Sequence, residues 1–389
     1  MPESALAGTV AGHATRAGTE GYARTAGAAC AAGHYSDFLN EHLQLSSLGL
    51  GTFPGAATDA VDEDYAAIVE RALRNGINVI DTAAHYRDGR SVRATGAGLS
   101  RAFAAGISRE QVYVVGKGGF LRFDDGPPAN VEAWFGLHVA RKGLGTREDL
   151  TGVHCLAPGY VAQQIDELRT GLGLQTLDAF LIDQPEVHIP RIGKEALNRR
   201  LQSVFAVCEQ AVGQGKIRSY GIATFDGFRV ETDHALFQSL ASLLGLAENA
   251  ARTVNRDAQA RHHFRVIQLP FNAVMNEGFT RFSQATGQGN VASTLQAAHQ
   301  LRLFVMGSHG LAKGKLAAAG IDALRATMPD LTGDAQRALQ FNRSTPGLGV
   351  SLAGISTPAH LDDMLAVAAQ APLPRERYLG LYRRAGGQE

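Results

Sequence analysis

The chain has 389 residues, 45% hydrophobic and 19% charged, and its Lys and Arg balance its Asp and Glu to a formal net charge of zero. That composition fits one large globular domain or two ordinary ones. Balanced charge without a basic run argues against nucleic acid or an anionic membrane as partner, and no run of 18 apolar residues is present to span a bilayer. Cys30, Cys155 and Cys208 are odd in number, widely spaced and form no C-x-x-C pair. Neither a disulfide framework nor a metal site is expected, and a reducing cytoplasm fits best.

Residues 1–45 are rich in Ala and Gly and lack a continuous apolar core, so they read as a flexible arm rather than a signal peptide. From 46 to 372 short apolar runs alternate with stretches of helical period. "LGLGTF" (48–53) precedes a segment in which Tyr65, Ile68, Val69, Ala72 and Leu73 share one helical face before a Gly stop. "INVID" (77–81) precedes a helix around 91–105, and "VYVVGK" (112–117) precedes a long irregular insertion over 118–156. "LDAFLID" (177–183), "IRSYGIAT" (217–224), "FRVIQLP" (264–270), "RLFVMGS" (302–308) and "GVSLAGIS" (349–356) follow, separated by helical sequence, and 373–389 form a tail.

Eight strands alternating with helices predict a parallel sheet closed into a (β/α)8 TIM barrel. A doubly wound open sheet competes, but its G-x-G-x-x-G after the first strand is absent. In a barrel, active sites gather at the carboxyl ends of the strands. Asp81, Lys117 and Asp183 each close a strand, and Tyr86 follows Asp81 by five positions. A salt-bridge network capping the barrel is the plainer explanation of the same residues.

"GINVIDTAAHY", "VVGKGGF", "GKIRSYGIATFDGFR", "HHFRVIQLPFN" and "LQFNRSTPG" resemble, in order, segments of a bacterial branch of the aldo-keto reductases, over roughly residues 46 to 370. The resemblance implies a barrel of that type, a nicotinamide cofactor, NADP(H) or NAD(H), and a small-molecule substrate. It also implies that hydride attacks a carbonyl carbon while Tyr86 donates a proton to the oxygen, a role contributing about 10²–10⁴-fold. Lys117 would lower the Tyr86 pKa by favouring the phenolate, and Asp81 would hold Lys117.

The sequence departs from the family where a His usually ends strand four, since "LIDQPE" places Asp183 there. An ionised Asp only accepts hydrogen bonds and repels a developing oxyanion; a protonated one in an apolar site donates. Steroid 5β-reductases, with Glu at that place, resemble the second case and reduce a conjugated C=C bond. His85 and His188 are candidate substitute acids.

For the cofactor, the resemblance points to Gln268 and to Ala223-Thr224, where the wider family has Ser-Asn, at the carboxamide. It points to Ser308 and Lys313 or Lys315 at phosphate. Where the family carries an Arg for the 2′-phosphate and an Asn for adenine, this chain has His360, Asp363 and Met364, so the bidentate grip is missing. Val92 replaces an acid that supports the following helix. The insertion, with Trp134, His138, His154 and Cys155, reads as a lid, and the His-Cys pair as packing. Three functions follow in order: a nicotinamide-dependent oxidoreductase with an altered acid site, acting on a conjugated substrate in bacterial secondary metabolism; a dehydratase, isomerase or cyclase using Tyr86, Lys117 and Asp183; and a non-catalytic binding subunit. The oligomeric state is left open.

Overall fold

A computed structural model describes residues 8–38, 42–286 and 289–385. Eight parallel strands close into a barrel: β1 Leu48–Gly51, β2 Val79–Asp81, β3 Tyr113–Gly118, β4 Leu177–Asp183, β5 Ile217–Ala223, β6 Phe264–Pro270, β7 Phe304–Ser308 and β8 Val350–Gly354. Each pairs with the next, and β8 returns to β1 through Leu352 opposite Gly49. All seven residues of β4 are buried, as expected where helices cover one face of a strand and the barrel interior the other.

The principal outer helices are α1 Asp59–Arg74, α2 Arg90–Ala104, α3 Pro158–Leu172, α4 Lys194–Gly213, α5 Leu240–Asn255, α6 Thr294–Gln300, α7 Asp334–Arg343 and α8 Pro358–Ala368. In α1 the Thr58 hydroxyl caps the first turn by accepting from Val61 N–H, and Tyr65, Ile68, Val69, Ala72 and Leu73 form its buried face, as their spacing predicts. Among the described residues no helix is long and apolar enough to cross a membrane.

The N-terminal segment differs from the arm expected over 1–45. Its described residues form a helix, Arg16–Arg24, and a hairpin of Tyr35–Phe38 against Leu43–Ser46. Thr15 caps the helix, Tyr22 is fully buried with its hydroxyl donating to Leu73 O at 2.6 Å, and Ala14 N–H donates to Asp178 Oδ1 at 2.7 Å. Phe38 packs on Tyr113 and Phe304, the first residues of β3 and β7, so the hairpin closes the amino end of the barrel. A few well-spaced apolar residues suffice, because the barrel floor supplies the rest of the core.

The insertion over 118–156 is also more regular than its sequence suggests. It holds a helix, Val131–His138, and a short ladder of Leu150–Thr151 with His154–Cys155. Leu121, Phe123, Phe135, Val139, Leu150 and Cys155 make its own small core. The tail beyond 373 carries a helix, Arg375–Ala385, anchored by buried Tyr378 on Thr345.

Candidate active site

The strand register explains how the polar residues meet. Val79, Val115, Leu181 and Ala223 belong to the barrel-interior cluster. Side chains alternate along a strand, so Asp81, Lys117 and Asp183, each two residues beyond an interior position, lie on that same face. Asp81 pairs with Val115, Lys117 with Leu181, and Asp183 with Ala223, so the three step forward by two residues per strand. In a barrel of tilted strands this stagger keeps them near one level of the mouth.

Lys117 Nζ forms an ion pair with Asp81 Oδ2, both side chains being almost wholly buried, and Gln268 Nε2 donates to Asp81 Oδ1 at 2.9 Å. Lys117 Nζ lies 4.9 Å from the centre of the Tyr86 ring, close enough for a cation–π attraction. Phe53 and His85 pack edge-on against Tyr86, at 5.1 and 4.9 Å between ring centres.

The expected lowering of the Tyr86 pKa is not what this arrangement gives. Burial first, then the charges of Asp183 and Asp81, push the phenol well above its ordinary value. Tyr86 therefore holds its proton.

Burial raises Asp183 from an ordinary 3.8 to about 6; Lys117 pulls it down and Asp81 pushes it up. A folded-state pKa above the unfolded one means the native state holds the proton more tightly, so the stability contributed is present below about pH 4 and is lost as pH rises through about 6. Relative to an Asp183→Asn variant, the wild type is expected to lose about 3 kcal/mol over that window, read by urea unfolding at pH 4 and pH 7. Parallel profiles for the two proteins would contradict the shift.

His188 does not serve as a free acid: Nδ1 meets the Thr151 hydroxyl and Nε2 meets His154 Nδ1, each at 2.9 Å. His85 lies against Tyr86 and Phe120 with Nδ1 buried and unpartnered, and burial, then Lys117 and His154, lower it to about 3, so it is neutral. Two features escaped the sequence reading. One is this chain of imidazoles, which continues from His154 Nε2 to Asp183 O at 2.6 Å. The other is Glu186, raised to about 7 chiefly by burial; its Oε1 accepts from Phe225 N–H and Asp226 N–H, while Oε2 is buried without a partner. The only trace of either was the spacing in "HC" and "PEVH", which says nothing of contact.

The cofactor candidates divide into two groups. Ala223 and Ser308 end β5 and β7, and Gln268 pairs with Ala223 across the ladder. Thr224 follows, its amide donating to Gln268 O at 2.9 Å and its hydroxyl buried without a partner. Lys313, on the loop beyond β7, and Lys315, which opens the short helix Lys315–Ala319, are exposed. His360 is exposed on α8, and Asp363 accepts from Gln336 Nε2 at 2.8 Å. The orphaned Thr224 hydroxyl beside Gln268 fits an amide-bearing ring at the mouth. The α8 residues, one of them acidic, do not fit a 2′-phosphate grip. A separate cleft of about 650 Å³ lies between α2 and α3, lined by Val92, Arg93, Arg122 and Glu167; none of Asp81, Tyr86, Lys117 or Asp183 reaches it.

Comparison with known proteins agrees with this architecture. The Aldo/keto reductase family model matches residues 47–268, more than half of the chain. A stretch of 79 residues is 39% identical to D-galacturonate reductase of Hypocrea jecorina, and covers 20% of this chain and 23% of that enzyme. Two solved structures of an aldo/keto reductase from Klebsiella pneumoniae, one with NADP and acetate and one with NADPH, are similar in fold. Each is 18% identical and covers 90% of this chain and 95% of its own, with a TM-score of 0.58. The chain thus belongs to the aldo/keto reductase family.

Proposed function

We propose that the protein is a nicotinamide-dependent oxidoreductase whose acid site has been changed by Asp183 standing where the family carries an imidazole, and that its substrate is a small molecule with a conjugated carbonyl. The observation that carries this reading is the convergence of Tyr86, Lys117 and Asp81 with Gln268 locked onto the same carboxylate. Gln268 and Thr224 would hold the carboxamide of the cofactor, which supplies hydride when bound, and Ser308 and Lys313 its phosphates. Lys117, fixed by Asp81, keeps positive charge over the Tyr86 ring while Tyr86 delivers its proton to the substrate. Asp183, buried and with a pKa near 6, donates a hydrogen bond only while protonated. As a carboxylate it opposes charge on a carbonyl oxygen, which disfavours simple aldehydes and ketones.

A second reading, proton-only chemistry by the same residues, is favoured by the lack of a cationic grip on α8. Titration with NADPH and NADH, followed by fluorescence quenching, separates the two. Binding of at least one at or below about 100 µM, or about −5.5 kcal/mol, is expected. No binding by either rules out the redox reading. With binding established, Asp183→His is expected to raise aldehyde reduction about 10²–10³-fold, the usual worth of one preorganised oxyanion donor.

A further inference from the structure

Asp183 sits at a forced bend. The next residue, Gln184, is left-handed (φ 47°), a conformation that costs a non-glycine residue free energy, and its amide donates back to Ala223 O at 2.6 Å. This turn leaves the Asp183 carbonyl to be met by His154 Nε2 at 2.6 Å. His154 belongs to the insertion, whose ladder is tied to the end of β3 by Cys155 N–H donating to Gly119 O at 2.7 Å and Leu121 N–H to Val153 O at 2.8 Å. Gly119 (φ 123°) must lack a side chain here, since a Cβ would lie 2.4 Å from His154 Nε2. One imidazole thus bridges the loops that follow Lys117 and Asp183.

The protons in this chain follow by elimination. A carbonyl oxygen only accepts, so His154 Nε2 carries hydrogen. A neutral ring then leaves Nδ1 as an acceptor, which requires His188 Nε2 to donate. His188 Nδ1 in turn accepts from the Thr151 hydroxyl. Every bond runs one way, from Thr151 towards Asp183. Since the last acceptor is an amide carbonyl, no proton can pass through it to the carboxyl, and the chain holds geometry rather than relaying charge.

We propose that His154, oriented by His188 and Thr151, is a positioning residue that fixes the Asp183 backbone and so aims the Asp183 carboxyl at the mouth. Its value for turnover rests on the oxidoreductase reading; its hydrogen-bonding state does not. Imidazole nitrogen NMR of the full-length protein at pH 7 is expected to show both rings neutral and protonated on Nε2. A His154 ring protonated on Nδ1, or on both nitrogens, overturns the proposal whatever the enzyme's activity.

In the kinetic arm, His154→Gln keeps an amide donor near the Nε2 position and His154→Phe removes it. The Phe variant is expected to lose up to about 10²-fold in kcat, the scale of a small misplacement of reacting groups, with cofactor affinity kept and the loss largely restored in the Gln variant. Equal kcat for Gln and Phe variants that both retain the wild-type circular dichroism also overturns it. If no variant, nor the wild type, shows redox turnover, the oxidoreductase reading fails while the tautomer result still decides this one.

Discussion

Lys117→Met is expected to lose about 3–5 kcal/mol of folding stability together with turnover. The ammonium and the Asp81 carboxylate are both buried, with side-chain exposures of 1% and 5%. Removing one partner of such a pair leaves an uncompensated charge in the interior, which costs far more than the net worth of the pair itself. Among the described residues Gln268 Nε2 would be the one side-chain donor left on the Asp81 carboxylate, too little to replace an opposite charge. Adding Asp81→Asn to Lys117→Met should recover much of the loss, because the orphaned charge is then gone. Urea unfolding of the two single variants and the double variant measures this directly. A Lys117→Met protein within about 1 kcal/mol of wild type would mean that the pair is wetter or looser than its geometry implies.

Tyr86→Phe should reduce turnover about 10²–10⁴-fold, the span of a positioned general acid, while leaving the fold and ligand binding intact. The ring keeps its contacts with Phe53, His85 and the Lys117 ammonium, since Phe retains the aromatic face and loses only the hydroxyl. Because the phenol is held well above its ordinary pKa, the acid limb near neutrality belongs to another group, and the kcat/KM profile of the wild type should bend near pH 6 with Asp183. Undiminished turnover in the Phe variant would remove Tyr86 from the chemistry and assign the proton transfer to another group.

The barrel and its mouth were legible because parallel strands leave a strong mark. Each is an apolar run buried on both sides, and a polar residue at its end stands out, as Asp81, Lys117 and Asp183 do. The amino-terminal segment was not legible: Phe38 and Leu45 join the cluster inside the barrel floor and Tyr22 docks on the end of α1, and no local period reports on a surface contributed by distant elements. The same limit hid His154. Its partners, His188 and Asp183 O, lie 34 and 29 residues away, and a histidine-cysteine pair on a short ladder looks like packing until β4 is beside it. The direction of the phenol's pKa was not legible either, since its leading cause is burial, which the sequence does not report, with the charges of Asp183 and Asp81 adding to it.

The amino-terminal closure also bears on how the molecule is made. Ala14 donates to Asp178, 164 residues further along, and Val10 exchanges backbone hydrogen bonds with Gly173 and Gln175. Asp178 meanwhile accepts from Arg109 and Val114. During synthesis Tyr22 and Phe38 can meet Leu73 and Tyr113 early, but Val10 and Ala14 lack these partners until the start of the fourth strand has left the ribosome, at about 5–20 residues per second. Closure of the floor is therefore finished late in the life of the nascent chain, since Phe38 also waits for Phe304 of the seventh strand.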